Sequence, residues 1–132
     1  MKITELRIGN YVIAPDLVYA EDNIRKVVGI SGVKSIFLKT IDGEKNNRFP
    51  IYLITPVPLT EEILLKCGFG EVGFYDNVYH LDDFRIYLDK SINSGLIKYE
   101  NGACNLEKEI SNLHQLQNLY FALIGKDLEV KL

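Results

Sequence analysis

Along residues 1–58 the apolar positions fall in short runs, Tyr11–Ile13, Ile24–Ile30, Ser35–Ile41 and Phe49–Ile54, separated by polar or glycine-bearing turns. Such short β-rich runs predict strands, with Asp42-Gly43 as the clearest turn. Pro56-Val57-Pro58 then forms a stiff connector whose prolines cannot donate to a ladder. A short helix follows. Thr60 is its predicted N-cap, Glu61 and Glu62 favour the positive end of its dipole, and Leu59 can staple onto Leu64. Gly68 supplies the left-handed stop, with Phe69 as the apolar contact beyond it. Strand patterning resumes at Val78–Leu81, Phe84–Leu88, Leu96–Glu100 and Ala103–Leu106, with Asn101-Gly102 as a type I′ hairpin signal. Phe84, Ile86 and Leu88 share one face, whereas Arg85, Tyr87 and Asp89 share the other. The pattern changes to helical spacing over Leu113–Ile124, capped by Ser111 or Asn112 and stopped at Gly125. Leu113, Leu116, Leu119, Tyr120, Leu123 and Ile124 form its apolar arc. Leu128, Val130 and Leu132 alternate with charged residues, which predicts a closing edge strand.

These elements predict an α+β fold. Its N-terminal part is a small bent β-sheet or SH3-like barrel, because closure removes exposed edges from so short a sheet. A short helix, an antiparallel β-meander and a C-terminal core helix packed on the meander complete it. A length of 132 residues suits one domain, with a β-rich lobe over 1–58 and an α+β lobe over 59–132. Hydrophobic residues at 47% and charged ones at 25% are ordinary globular proportions. No apolar run approaches the roughly 18 residues of a membrane helix, and acid follows the initial Met within five residues, so no membrane association and a cytoplasmic location are expected. Cys67 and Cys104 are too few for a disulfide framework, which fits a reducing compartment. Residues 1–58 carry eight Lys/Arg and six Asp/Glu, whereas residues 59–132 carry seven and twelve. The basic residues Arg25, Lys26, Lys34, Lys39, Lys45 and Arg48 are interleaved with Asp42 and Glu44, so the sequence argues against nucleic acid as the main partner.

Candidate chemistry changes this picture little. Gly68-Phe69-Gly70-Glu71-Val72-Gly73 spells G-x-G-x-x-G, but a dinucleotide fingerprint follows a strand and opens a helix, and here a helix precedes it. Cys67, Cys104, His80 and His114 lack the close pairing of zinc ligands, so they read as two buried thiols and two ordinary histidines, and neither metal nor cofactor is expected. Asp82-Asp83 fits a hairpin turn, and Glu61-Glu62 fits a helix start. No nucleophile string is present, so no catalytic residue is assigned. Two readings of the last helix are open. In one, Gln117 ties helix to sheet through a backbone group, and His114 with Asn118 forms the wet face. In the other, His114 and Gln117 join Tyr79, Arg85 and Tyr87, taken as exposed strand positions, in a shallow ligand or partner surface.

Three segments carry a resemblance: Glu5-Leu6-Arg7-Ile8-Gly9-Asn10, the run from Pro56 to Phe69, and His114-Gln115-Leu116-Gln117-Asn118-Leu119-Tyr120-Phe121-Ala122-Leu123 with Gly125. The chain resembles a family of small proteins common in gut Bacteroidetes, their mobile elements and their phages, in which an aromatic often stands where this chain has Ile63. The resemblance implies a genomic setting and assigns no reaction, cofactor or site. In that setting the expected function is non-enzymatic, as a homo-oligomer binding a host protein. The alternatives are a counter-defence protein that sequesters a small signalling nucleotide, and nucleic-acid binding by the N-terminal β lobe through Tyr11, Phe37 and Phe49.

Overall fold

The computed structural model describes residues 1–15, 22–41, 43 and 45–132, so Asp42 and Glu44, read above as a turn residue and an interleaved acid, lie outside the described residues. The fold is α+β, with two antiparallel five-stranded sheets and a C-terminal helix. The chain divides into two compact units, Met1–Val57 with Leu113–Asp127, and Pro58–Asn112 with Leu128–Leu132.

The first unit contains β1 (Tyr11–Pro15), β2 (Asp22–Ser31), β3 (Ser35–Thr40), β4 (Asn46–Pro50) and β5 (Thr55–Pro56), in the order β4-β3-β2-β1-β5. The expected strand Phe49–Ile54 is corrected: β4 ends at Pro50, and Ile51–Leu53 turns as a 3-10 helix before β5 returns beside β1. β4 and β5 end the sheet order, and among the described residues no ladder joins them. Alternation buries Val12, Ala14, Val27, Ile36, Leu38 and Phe49 on one face, where Leu6 and Ile54 complete the cluster.

The last helix, α2 (Leu113–Ile124), has the expected bounds, but its expected place on the meander is corrected: it belongs to this unit, with contacts to β1. Its buried face is shifted from the predicted arc: His114 and Gln117 are buried with Leu113, Leu116 and Tyr120, whereas Leu119 and Leu123 are half-buried and Ile124 is exposed. The reason is local. β5 pairs with β1 only at Val12–Pro56 and Ile13–Thr55, so the Tyr11 N–H beyond it needs another acceptor. Gln117 supplies one, its Oε1 accepting from Tyr11 N at 2.9 Å while its Nε2 donates to the Gly9 carbonyl at 3.0 Å.

The second unit holds α1 (Glu61–Lys66), β6 (Gly70–Glu71), β7 (Val78–Leu81), β8 (Phe84–Asp89), β9 (Ser94–Glu100) and β10 (Asn105–Ile110). The sheet order β10-β9-β8-β7-β6 is a plain meander. Thr60 caps α1 by accepting from Ile63 N at 3.2 Å. At the other end Gly68 has φ +88°, and the N–H groups of Gly68 and Phe69 return to the Leu65 and Leu64 carbonyls. Two expectations are corrected in this unit. Asn101-Gly102 is not a two-residue hairpin loop: Glu100 pairs with Asn105, Asn101 Oδ1 accepts from Cys104 N, and β10 runs from Asn105 rather than from Ala103. Leu128–Leu132 forms no strand, although Leu128 is buried and burial still alternates along it.

Replacing Gln117 with Met leaves the Tyr11 N–H and the Gly9 carbonyl without their partner at nearly constant volume, and is expected to lower stability by about 1–3 kcal/mol. Denaturant titration checks this, and Thr60→Ala, expected to cost about 1 kcal/mol, provides a yardstick for an ordinary lost cap.

Candidate functional site

The sequence-predicted site residues separate into two places. Arg85 and Tyr87 lie on the solvent face of β8, whose burial alternates strictly from Phe84 to Asp89. Tyr79, expected on that face, is only 1% exposed and points the other way. It stands opposite Ile86, on the core side, so the outward residue of β7 is His80. Four residues of alternation can be phased either way, and a tyrosine suits both phases because its ring is apolar and its hydroxyl polar.

The Tyr79 hydroxyl meets Glu61, which also takes a 3.2 Å hydrogen bond from Lys90 Nζ, with Glu71 beside it. Lys90 holds the Glu61 carboxyl below its ordinary range, and burial together with the Glu61 hydrogen bond raises the Tyr79 phenol. Each of these two groups therefore keeps its usual charge at neutral pH, the opposite of what a proton-exchanging pair requires. Burial likewise pushes the Cys67 thiol up to about 12, which leaves it un-ionised and unreactive. Cys104, expected to be buried, is exposed. Among the described residues no three His, Cys, Asp or Glu side chains gather as a metal site.

His114 and Gln117 belong to the other unit. Gln117 bonds the backbone as described above. Asn118 accepts from Asn10 Nδ2 and donates to the Glu5 carbonyl, both at 2.9 Å. Arg7 places its guanidinium 4.0 Å from the Phe121 ring centroid and pairs with Asp127 at 2.9 Å. His114 is fully buried rather than on a wet face, and among the described residues neither ring nitrogen has a hydrogen-bond partner. Its Nε2 lies 3.7 Å from Glu5 Oε2, too far for a hydrogen bond.

Register assembles what chain order hides on the second sheet. Gly70, His80, Arg85, Lys98 and Glu107 are directly opposite one another across all five strands. The neighbouring row is Val78, Tyr87, Leu96 and Glu109. Lys98 bridges these rows, pairing with Glu107 at 3.3 Å and lying 5.4 Å from the Tyr87 ring centroid. Arg85 makes no ion pair or side-chain hydrogen bond with a described residue. A recess of about 270 Å³ opens on this face. Arg85, Lys98, His80 and Tyr87 line it together with the acidic residues Asp82, Asp83 and Glu100.

Sequence reasoning missed the end of the sheet nearest Tyr87. The loop joining β6 to β7 enters at Val78, which is opposite Tyr87, and its Asn77 carbonyl accepts from Leu88 N. Phe74 and Tyr75 in that loop are exposed, as is Ile92 in the turn after β8. The signal was available in Gly73-Phe74-Tyr75-Asp76-Asn77, where adjacent aromatics sit among turn residues.

No protein-family model matches the chain, and no curated protein or solved structure matches it. Among the described residues no helix is long and apolar enough to cross a membrane.

Burial lowers the His114 pKa from its ordinary 6.5, against the opposing pull of Glu5, so the native state binds its proton less readily than the unfolded chain. Stability is therefore expected to fall as pH drops below about 6.5, and to stop falling on this account once the native histidine is itself protonated. Urea midpoints between pH 7.5 and pH 5 check this, with His114→Leu expected to flatten the decline.

Proposed function

We propose that this chain is a non-enzymatic binding protein that docks on another protein through the solvent face of its second sheet. One observation carries the reading: Arg85, with no ion-pair partner among the described residues, stands on the same exposed face as Tyr87, at a sheet end that continues into exposed Phe74 and Tyr75. Arginine, tyrosine and other aromatics are the side chains that most often carry binding energy at protein interfaces. Exposing several of them together costs solubility, which a partner surface offsets. The recess adds mixed charge, cations beside carboxylates, which suits a polypeptide segment bearing both signs. A host protein is the partner proposed for a phage or mobile-element setting, with the chain acting as a homo-oligomer. For the first unit, the order β4-β3-β2-β1-β5 and the 3-10 turn before β5 support an SH3-like lobe.

A second reading, sequestration of a small signalling nucleotide, draws on Arg85 and Lys98 beside the Tyr87 ring in the same recess. Asp82, Asp83 and Glu100 count against it, because they repel the phosphates those cations would attract.

Affinity capture from host lysate with the wild-type chain, an Arg85→Ala/Tyr87→Ala variant and a Tyr52→Ala control is expected to retain one defined partner on the first and third only. Loss of 2 kcal/mol or more, typical of an interface hot spot, corresponds to at least roughly thirtyfold weaker binding. Undiminished capture by the double variant rejects this surface, and a thermal shift on adding a cyclic dinucleotide, abolished in that variant, would favour the second reading.

A further inference from the structure

The first sheet also gathers chemistry on its solvent face. Tyr11, Lys26, Lys39 and Asn46 are directly opposite one another across β1, β2, β3 and β4. The adjacent row is Gly29, Phe37 and Arg48. A bulge between Val27 and Gly29 sets that row, since unbroken register would place Val28 against Phe37. With glycine there instead, the Phe37 ring lies over the strand: a Cβ on Gly29 would sit 3.2 Å from Phe37 Cδ2. The ring remains 38% exposed. Lys26 Nζ lies 5.9 Å from the Tyr11 ring centroid, and Arg48 donates to Ser35 Oγ at 3.0 Å. Lys26, Lys39 and Arg48 are exposed, neither row contains an acid, and none of these cations is ion-paired to a described residue.

A Cβ on Gly43 would sit 3.8 Å from Lys39 Nζ, and in chain order Asp42 and Glu44 flank that glycine and interrupt the basic residues. Both lie outside the described residues. Two expected members are corrected: Arg25 is buried, with its guanidinium 5.3 Å from the Phe49 ring centroid, and Phe49 itself belongs to the core.

We infer that this face binds single-stranded nucleic acid, Lys26, Lys39 and Arg48 taking phosphates while Phe37 and Tyr11 offer rings for bases to stack on. A half-exposed ring seated over a glycine, with cations in its own row and the next, offers an aromatic surface, and only unpaired bases present their faces to one. A duplex would meet the cations but leave the platform unused. An acidic peptide would do the same.

Fluorescence anisotropy of a 5′-labelled twelve-residue oligothymidylate with the full chain tests this. Binding is expected at 50 mM salt, with a log–log salt slope of about −2 for three neutralised phosphates. Phe37→Leu should weaken binding about tenfold through lost stacking while leaving the slope unchanged, and Lys26→Ala/Lys39→Ala/Arg48→Ala should abolish binding with the circular dichroism spectrum intact. Arg85→Ala/Tyr87→Ala should bind as the wild type does. No binding by the wild type at 50 mM salt, undiminished binding by the triple variant, loss in the Arg85→Ala/Tyr87→Ala variant, or equal affinity for a twelve-base-pair duplex or an oligoglutamate would each overturn it.

Discussion

A sheet edge leaves backbone groups that something must satisfy, and at β1 the solution is the side-chain amide of Gln117. β5 is too short to cover that edge, so the Tyr11 N–H and the Gly9 carbonyl are both taken up by one glutamine on α2. Its neighbours extend the same tie. Asn118 reaches Asn10 and the Glu5 carbonyl, and Arg7 reaches Asp127 and the Phe121 ring. A helix more than a hundred residues away in sequence is thus fastened to the segment that leads into the first strand. The segment Glu5–Asn10 and the run from His114 are therefore hydrogen-bonded to each other in the folded chain. The amides of Gln117 and Asn118 on that helix are accounted for by these bonds, whereas the buried His114 ring is not.

What could be read from the residues follows the range of the forces involved. The helix α1 was legible in full because its cap at Thr60 and its stop at Gly68 depend on residues only a few positions away. The bounds of α2 and the alternation of β8 were legible for the same reason. Tyr79 was not, because four residues do not fix the phase of a strand. Leu128–Leu132 alternates as a strand would but forms no ladder, so period alone was insufficient. The row from His80 through Arg85 to Lys98 depends on pairing between strands, and the seat of Phe37 depends on a bulge. Neither leaves a local mark.

The functional reading rests on side chains that the fold does not consume. Arg85, Tyr87, Phe74 and Tyr75 serve no core and, among the described residues, Arg85 no ion pair. The groups with shifted titration are otherwise employed: Cys67 and His114 are buried, Asp89 accepts from Ser91, and Glu61, Tyr79 and Lys90 hold one another in their ordinary charge states. Phe74 and Tyr75, by contrast, stand exposed beside the sheet end that carries Tyr87.

Site-specific photocrosslinking measures the central claim most directly. With a benzophenone side chain placed at position 87, at position 74, or at exposed position 52 in the first unit, irradiation in the host should yield one discrete protein adduct from positions 87 and 74 and none from 52. Adducts from position 52 alone, or none from position 87 in a folded chain, would contradict the account.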